Sequence, residues 1–218
     1  MPMPSGLPSF TQMKISILTV WYPSLPQREA EFLHCLKTNL ELAFVDKVHV
    51  LAQPGVTVPI KHDKLSIINL EGRPTFKQLF AYANKLSGLV MLSNTDISYD
   101  NTLGKVAQVS DWNRKLMCLT HILDGKLRNP GCFSTWIFKS PIEDFGMDMV
   151  FGIEGCDSFL AQMALEAGML VENPCLSINC WHHHKDDIGR ITTLPDGSTY
   201  WNHPKYRCQE IPYSTLTI

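Results

Sequence analysis

The sequence lacks the features that identify several large classes of protein. No apolar run in its 218 residues approaches the ~18 residues that a membrane-spanning helix needs. The formal net charge is −2 and the pI is about 6.4, so the chain has no overall positive charge to attract nucleic acid. Residues 1–13 contain neither the basic nor the apolar stretch of a secretory signal peptide. We therefore expect a soluble, cytoplasmic protein with no membrane span and no nucleic-acid partner.

The cysteines do not form the pattern of a disulfide framework or a zinc site. There are seven of them, an odd number, and they are scattered along the chain. Cys175 and Cys180 are separated by four residues, which is not the spacing of a zinc knuckle, and no second pair completes a four-ligand site. Most lie in apolar stretches, as Cys118 does. They are predicted to be core thiols of a reducing compartment.

The first half of the chain alternates between two kinds of hydrophobic pattern. Short apolar runs typical of strands are followed by stretches with the helical period. The predicted elements are a strand at 15–21, a helix at 28–43, strands at 48–51 and 65–70, a helix at 76–86 and a strand at 89–92. This alternation predicts an α/β fold with a mostly parallel sheet and helices on both faces.

The pattern changes after Asp96. Strand-like runs at 115–123 and 134–139 follow each other without a long helix between them, which predicts a mixed or antiparallel part of the sheet. A helix at 157–168 and a last strand at 171–178 complete the prediction. The expected organisation is a lead-in at 1–13, a single domain at 14–190 and a tail at 191–218 packed on the domain.

An apolar run that ends in polar residues marks the first candidate site. The run 89–92 is typical of a strand buried on both faces, and ligands of open α/β sheets lie beyond the carboxyl ends of such strands. Asp96 follows this strand, where a carboxylate is suited to hold a cation that bridges two phosphates. Capping of a turn is the alternative. For Asp100 we favour capping, of a helix that begins near Thr102.

Two further groups contain residues suited to chemistry. Glu154 and Asp157 flank the start of a predicted helix, where an acid either caps the helix or accepts a proton from an acceptor hydroxyl. In the run 182–184, three histidines alternate in direction if extended, so His182 and His184 would share one face. Imidazole is a common metal ligand that suits Mn²⁺, although a solvent-exposed polar run is the alternative.

Taken in order, these motifs resemble small GT-A-type glycosyltransferase domains, which bind nucleotide-diphosphate sugars. The resemblance covers about residues 14–190. The motifs are Arg28-x-x-Glu31, Asn94-Thr95-Asp96-Ile97, Trp136 to Ile142, Gly155-Cys156-Asp157, Asn173 to Ile178 and His182-x-His184.

The resemblance implies a metal-dependent transfer of a sugar from a UDP- or GDP-sugar to a hydroxyl acceptor such as a glycan. It implies that Asp96 binds Mn²⁺ or Mg²⁺, with Asn94 where related enzymes carry the first Asp of their DxD motif. His184 would complete the coordination, and Asp157 would face the donor sugar or the acceptor.

The end of the first strand is expected to lie beside the nucleotide. The expected nucleotide-sugar contacts are Thr19, Trp21, Tyr22, Arg73, Asn94 and Thr95. Trp21 or Tyr22 would stack on the base, and the equally favoured alternative is that these aromatic residues belong to the core. Arg73 would contact a phosphate, and the alternative is that its side chain is simply solvated.

One position departs from the resemblance, and two rival functions remain. Ser134 stands where related sequences carry an acid, so any role that needs a charge there is lost. A nucleotidyltransferase is one rival, although the first strand is not followed by a glycine- and lysine-rich phosphate loop. The other is a glycan- or nucleotide-sugar-binding domain without turnover, a possibility that Ser134 raises.

Overall fold

A computed structural model describes residues 14–145, 148–184, 193–194, 196–199 and 209–218. The strands are β1 (Ile15–Trp21), β2 (Val45–Ala52), β3 (Leu65–Asn69), β4 (Gly88–Ser93), β5 (Ile97–Tyr99), β6 (Lys115–Thr120), β7 (Ile122–Leu123), β8 (Lys126–Leu127), β9 (Phe133–Ser140), β10 (Leu170–Glu172) and β11 (Cys180–His182). The α-helices are α1 (Pro26–Leu40), α2 (Phe76–Ala83) and α3 (Cys156–Glu166), and a 3₁₀ helix spans Asn101–Gln108.

Seven strands form the central sheet, in the order β10-β6-β9-β4-β1-β2-β3. Neighbours pair in parallel except at β9, which is antiparallel to both β4 and β6. The prediction of a mostly parallel sheet with a mixed second half is therefore confirmed. Because β9 runs against β4, the first residues of β9 lie at the edge of the sheet where β4 ends.

Strand β4 is buried on both faces, as its continuous apolar run predicts. Leu89 and Met91 belong to the hydrophobic cluster on one face of the sheet, and Val90 and Leu92 to the cluster on the other. None of these four side chains is more than 1% exposed. The alternation of side chains along a strand thus places half of the run in each layer of core.

Local signals account for where the helices begin. Pro26 occupies the first turn of α1, where its missing N–H costs no hydrogen bond, and Thr75 and Gln78 form a capping box at α2. Asp100 caps the 3₁₀ helix by accepting from Thr102 N, as predicted. Helices α1 and α2 each end three residues before their predicted ends, at Leu40 and Ala83.

The predicted strand at 171–178 is wrong beyond Glu172. The amide of Asn173 donates to Thr120 Oγ1 and Ile211 O, and Pro174 has no N–H to continue a ladder. Ser177 N and Ile178 N instead donate to Pro174 O, which closes a turn. The chain re-enters a strand only at β11, which the apolar pattern did not predict.

A smaller four-stranded sheet, in the order β5-β11-β7-β8, lies beside the central sheet. The predicted lead-in at 1–13 lies outside the described residues, as does much of the predicted tail. The described end of the tail contacts the core through Ile211 and Leu216. Among the described residues, the six cysteines are free thiols and no helix is long and apolar enough to cross a membrane.

Candidate functional site

The candidate site forms where β5 and β11 pair beyond the carboxyl end of β4. Asp96 lies in the turn between β4 and β5, and the antiparallel register sets His182 opposite Ile97. The backbone N–H of His183 donates to Asp96 O at 2.8 Å. His182 Nε2 then lies 2.9 Å from Asp96 Oδ2, so the imidazole donates to the carboxylate. Strand pairing therefore brings together two groups that are 86 positions apart.

His182 and His184 share one face of the chain, as the extended pattern predicts. Their rings stack with centroids 5.4 Å apart and an interplanar angle of 5°. His183 points the other way, where its Nε2 lies 2.7 Å from Ser98 Oγ and its ring packs on His34. One ligand atom each from Asp96, His182 and His184 lies within 4.8 Å of the others. These three residues form a group that could hold a metal ion.

The buried side chain of Arg28, from the first turn of α1, contacts the group formed by Asp96, His182 and His184. Arg28 Nη2 donates to Asp96 Oδ2 at 2.6 Å, and Nη1 contacts both Glu31 and Nδ1 of His184. The guanidinium also lies 5.1 Å from the centroid of the Phe32 ring. Sequence reasoning included Arg28 and Glu31 in the resemblance but gave neither a role. Their spacing of three residues, typical of an ion pair on one helix face, was the available signal.

The Asp96 carboxylate is held in its charged form by these neighbours. Burial alone would raise its pKa, because Asp96 is only 4% exposed. Electrostatic interactions and hydrogen bonds with His182 and Arg28 outweigh burial and hold the pKa of Asp96 well below its usual range. Asp96 is therefore an anion that a cation can bind without displacing a proton.

Ser134, which stands in place of the acid of related sequences, is part of the same neighbourhood. Its Oγ lies 2.8 Å from Nδ1 of His121, and the ring of His121 packs at 60° against His182 with centroids 4.5 Å apart. Ser134 O accepts from Asn94 N at 2.9 Å, which ties β9 to the turn that carries Asp96. Sequence reasoning missed His121 because an isolated histidine at the end of a strand carries no motif.

Four of the residues predicted to contact the nucleotide line one small pocket. Its lining includes Thr19, Trp21, Asn94 and Thr95, and its volume of about 10 Å³ has room for about one water molecule. Trp21 is 1% exposed and packs edge-on against Phe32, so the core interpretation of this residue is correct. Thr95 Oγ1 donates to Val20 O, which fastens the turn to the end of β1.

Tyr22 and Arg73 lie in different surroundings. Tyr22 is half-buried, packs on Phe32 with centroids 5.0 Å apart, and hydrogen-bonds to Arg28. It is therefore the aromatic residue of this segment that lies next to the acidic and histidine cluster. The Arg73 guanidinium donates to Phe151 O at 2.9 Å and Gly152 O at 2.8 Å, so it holds the loop that precedes α3.

Asp157 lies in the first turn of α3 and is partly exposed. Gly155 occupies the N-cap position and gives no side-chain cap, so Asp157 is not the N-cap residue. Ser158 Oγ donates to Gly131 O, which anchors this helix start beside the first residues of β9. Burial and the charge of Asp157 raise the pKa of the Cys132 thiol in the same place. Asp157 is thus at the sheet edge that carries Asp96.

The donor set of the cluster suits Mn²⁺. One carboxylate and two imidazoles suit Mn²⁺ better than Mg²⁺, because Mg²⁺ prefers oxygen ligands alone. Nδ1 of His182 is buried and has no hydrogen-bond partner among the described residues. Because Nε2 of this ring donates to Asp96, Nδ1 retains a lone pair that a ligand would satisfy. The residues present therefore fit a divalent ion.

Comparisons with known proteins bear on the fold. No protein-family model and no curated protein sequence matches the chain. Among solved structures, the chain is similar to the crystal structure of GalNAc-T7 with UDP, GalNAc and Mn²⁺, with a TM-score of 0.57 and 8% identity. The match covers 81% of this chain and 44% of that one, so the chain spans less than half of GalNAc-T7. At this identity the match shows a GT-A-like α/β fold, which confirms the predicted fold class.

Proposed function

We propose that this chain is a metal-dependent glycosyltransferase that moves a sugar from a UDP- or GDP-sugar to a hydroxyl acceptor such as a glycan. The observation that carries the proposal is the Asp96, His182 and His184 group beyond the carboxyl end of β4 in a GT-A-like fold. GalNAc-T7, which shares the fold, was solved with UDP, GalNAc and Mn²⁺. We extend the same class of ligands to this chain. We also propose a cytoplasmic location, for which the scattered cysteines of the sequence are the support.

Asp96, His182 and His184 would hold Mn²⁺ or, less favourably, Mg²⁺. Such an ion neutralises the charge that develops on a departing diphosphate. Asn94 and Thr95 set the turn that presents Asp96, because Asn94 N donates to Ser134 O and Thr95 Oγ1 donates to Val20 O. Tyr22 is the residue that we assign to stacking on the base.

Asp157 is the residue that we assign to the acceptor side. A carboxylate in the first turn of a helix is stabilised as an anion by the helix dipole, and it is partly exposed here. It would accept the proton of the attacking hydroxyl or orient a sugar hydroxyl. Arg73 supports this role indirectly, because it holds the loop that leads into α3.

The proposal is tested by a thermal-shift screen of nucleotide sugars with Mn²⁺ and with EDTA, followed by calorimetry. We expect stabilisation by UDP- or GDP-sugars that depends on metal. Asp96→Asn should abolish the metal-dependent part. Because the Asp96 carboxylate accepts buried hydrogen bonds from Arg28 and His182, we also expect this variant to unfold at a lower temperature, and binding must be measured below that point.

Two rival functions have distinct outcomes in the same screen. A nucleotidyltransferase would bind a nucleoside triphosphate in preference to a diphosphate sugar. The four residues that join β1 to α1, Tyr22-Pro23-Ser24-Leu25, contain no glycine or lysine to cradle a triphosphate. A binding domain without turnover would bind the donor but form no product with any acceptor or with water.

A further inference from the structure

Arg28 is a buried cation that contacts two of the three groups assigned to metal binding. Its side chain is 6% exposed, Nη2 lies 2.6 Å from Asp96 Oδ2, and Nη1 contacts Nδ1 of His184. The guanidinium is charged at every pH at which the protein is folded. The cluster is thus already neutralised by a side chain of the protein itself.

A divalent ion and this guanidinium cannot use the same groups without cost. An imidazole nitrogen has one lone pair, so Nδ1 of His184 can accept from Arg28 or coordinate an ion, but not both. Two cations bound to one carboxylate also repel each other in a site that water screens poorly. An ion that binds Asp96 Oδ2 and Nδ1 of His184 therefore displaces Arg28 from both groups.

Glu31 makes this exchange feasible. Its carboxylate pairs with Arg28 Nη1 from one helical turn away, and its side chain is 10% exposed. When Arg28 leaves Asp96, Glu31 continues to neutralise it, so no buried charge is left alone. In the structure, Phe32 and Tyr22 also contact the guanidinium from the side of α1 and the end of β1.

We propose that Arg28 is an exchangeable counter-ion of Asp96 that competes with the divalent ion and so sets the affinity of the site for metal. Glu31 raises the affinity for metal, because it stabilises Arg28 after Arg28 has left Asp96. This inference rests on the metal site of the proposed function.

The test measures Mn²⁺ binding to the full chain without nucleotide, by calorimetry and by the electron paramagnetic resonance signal of free Mn²⁺. Arg28→Gln should bind Mn²⁺ more tightly than the unmodified chain, by at least about fivefold, the lower end of typical coupling between competing ligands. Glu31→Gln should bind it more weakly. Arg28→Lys, which keeps the charge but loses the planar fork, should fall between Arg28→Gln and the unmodified chain.

Controls separate this inference from the function on which it rests. Arg114→Gln breaks an exposed pair with Glu143 and should leave Mn²⁺ affinity unchanged. If Mn²⁺ binding needs Asp96 but is equal or weaker in both Arg28 variants, the exchange is wrong and the metal site stands. If neither the unmodified chain nor any Arg28 variant binds Mn²⁺, both the exchange and the metal site are wrong. The Lys variant keeps the test valid if Arg28→Gln does not fold.

Discussion

Oδ2 of Asp96 accepts hydrogen bonds from His182 Nε2 at 2.9 Å and from Arg28 at the same time. One carboxylate oxygen thus joins the turn after β4 to both α1 and β11. Because β11 is short and pairs with β5 over three residues, this contact also helps to hold the strand in register. Asp96 therefore has a structural role as well as the proposed ligand-binding role.

Replacing His184 should affect nucleotide binding only when metal is present. His184→Ala removes one of three grouped ligands, and we expect UDP binding with Mn²⁺ to weaken by about tenfold or more. Binding in EDTA should not change. His183→Ala is the matched control, because His183 points to Ser98 on the other face. Equal weakening in EDTA would assign His184 to phosphate contact or to structure.

Replacing Asp157 should impair turnover without affecting stability. Asp157→Asn keeps the size of the side chain, and Gly155 remains the N-cap, so the melting temperature should be unchanged. Loss of an acid–base group should lower turnover by roughly 10²-fold or more. Exposed Glu154→Gln serves as the control, with turnover near that of the unmodified chain. Turnover of Asp157→Asn within a few-fold of normal would exclude the catalytic role.

Arg73 has two roles that its substitution distinguishes. If Arg73 holds the loop before α3, Arg73→Gln should lower turnover by up to about 10²-fold through misplacement of Asp157, with donor affinity unchanged. If Arg73 contacts a phosphate, the dissociation constant of UDP should rise instead. Lys77→Gln, which breaks an exposed ion pair on α2, is the control for loss of positive charge nearby.

Removing the hydroxyl of Ser134 should destabilise the protein. Ser134→Ala leaves Nδ1 of buried His121 without its hydrogen-bond partner Ser134 Oγ. A buried polar group that loses its partner lowers the free energy of unfolding by about 1–3 kcal/mol. Chemical denaturation measures this change. Ser66→Ala, on the partly exposed edge strand β3, should have little effect. A loss no larger than that of the control would show that the Ser134 contact contributes nothing to stability.

His49 should make stability depend on pH below neutrality. Burial and the charge of Lys47 lower the pKa of His49, whose Nδ1 lies 3.0 Å from Tyr82 Oη. As pH falls below about 6.5, the unfolded chain binds the proton first, so the free energy of unfolding falls. The slope from this group is at most about 1.4 kcal/mol per pH unit. This dependence ends once the pH has fallen below the pKa that His49 has in the folded protein.

Denaturation curves at several pH values measure this dependence. His49→Gln should flatten the profile between about pH 6.5 and the lower pKa of the folded state. A profile that is identical in His49→Gln and in the unmodified chain would exclude His49 as a source of the dependence.

Local sequence was sufficient to predict the central sheet and the position of Asp96. The run 89–92 has no polar residue and follows a glycine, which is typical of a strand covered on both faces. Asp96 comes three residues after Ser93 ends this strand, so its place at the carboxyl edge required no long-range information. The alternation of His182 and His184 follows in the same way from the geometry of an extended chain.

Residues joined over long distances in sequence were not predictable in this way. Trp21 and Tyr22 are adjacent and both aromatic, yet packing against α1 buries the first and leaves the second partly exposed. A strand of three residues such as β11 has too few positions to show a pattern, and its pairing with β5 is set by tertiary contacts.

The sequence by itself determined the α-helices and most strands of the central sheet, because their hydrophobic periods are local properties of the chain. Only the tertiary structure decided which charges meet. Arg28 and His184 are 156 positions apart, and they contact each other because α1 and the end of β11 pack against the same turn. Electrostatic interaction depends on distance in space and on exclusion of water, and neither quantity is encoded in the spacing of residues along the chain.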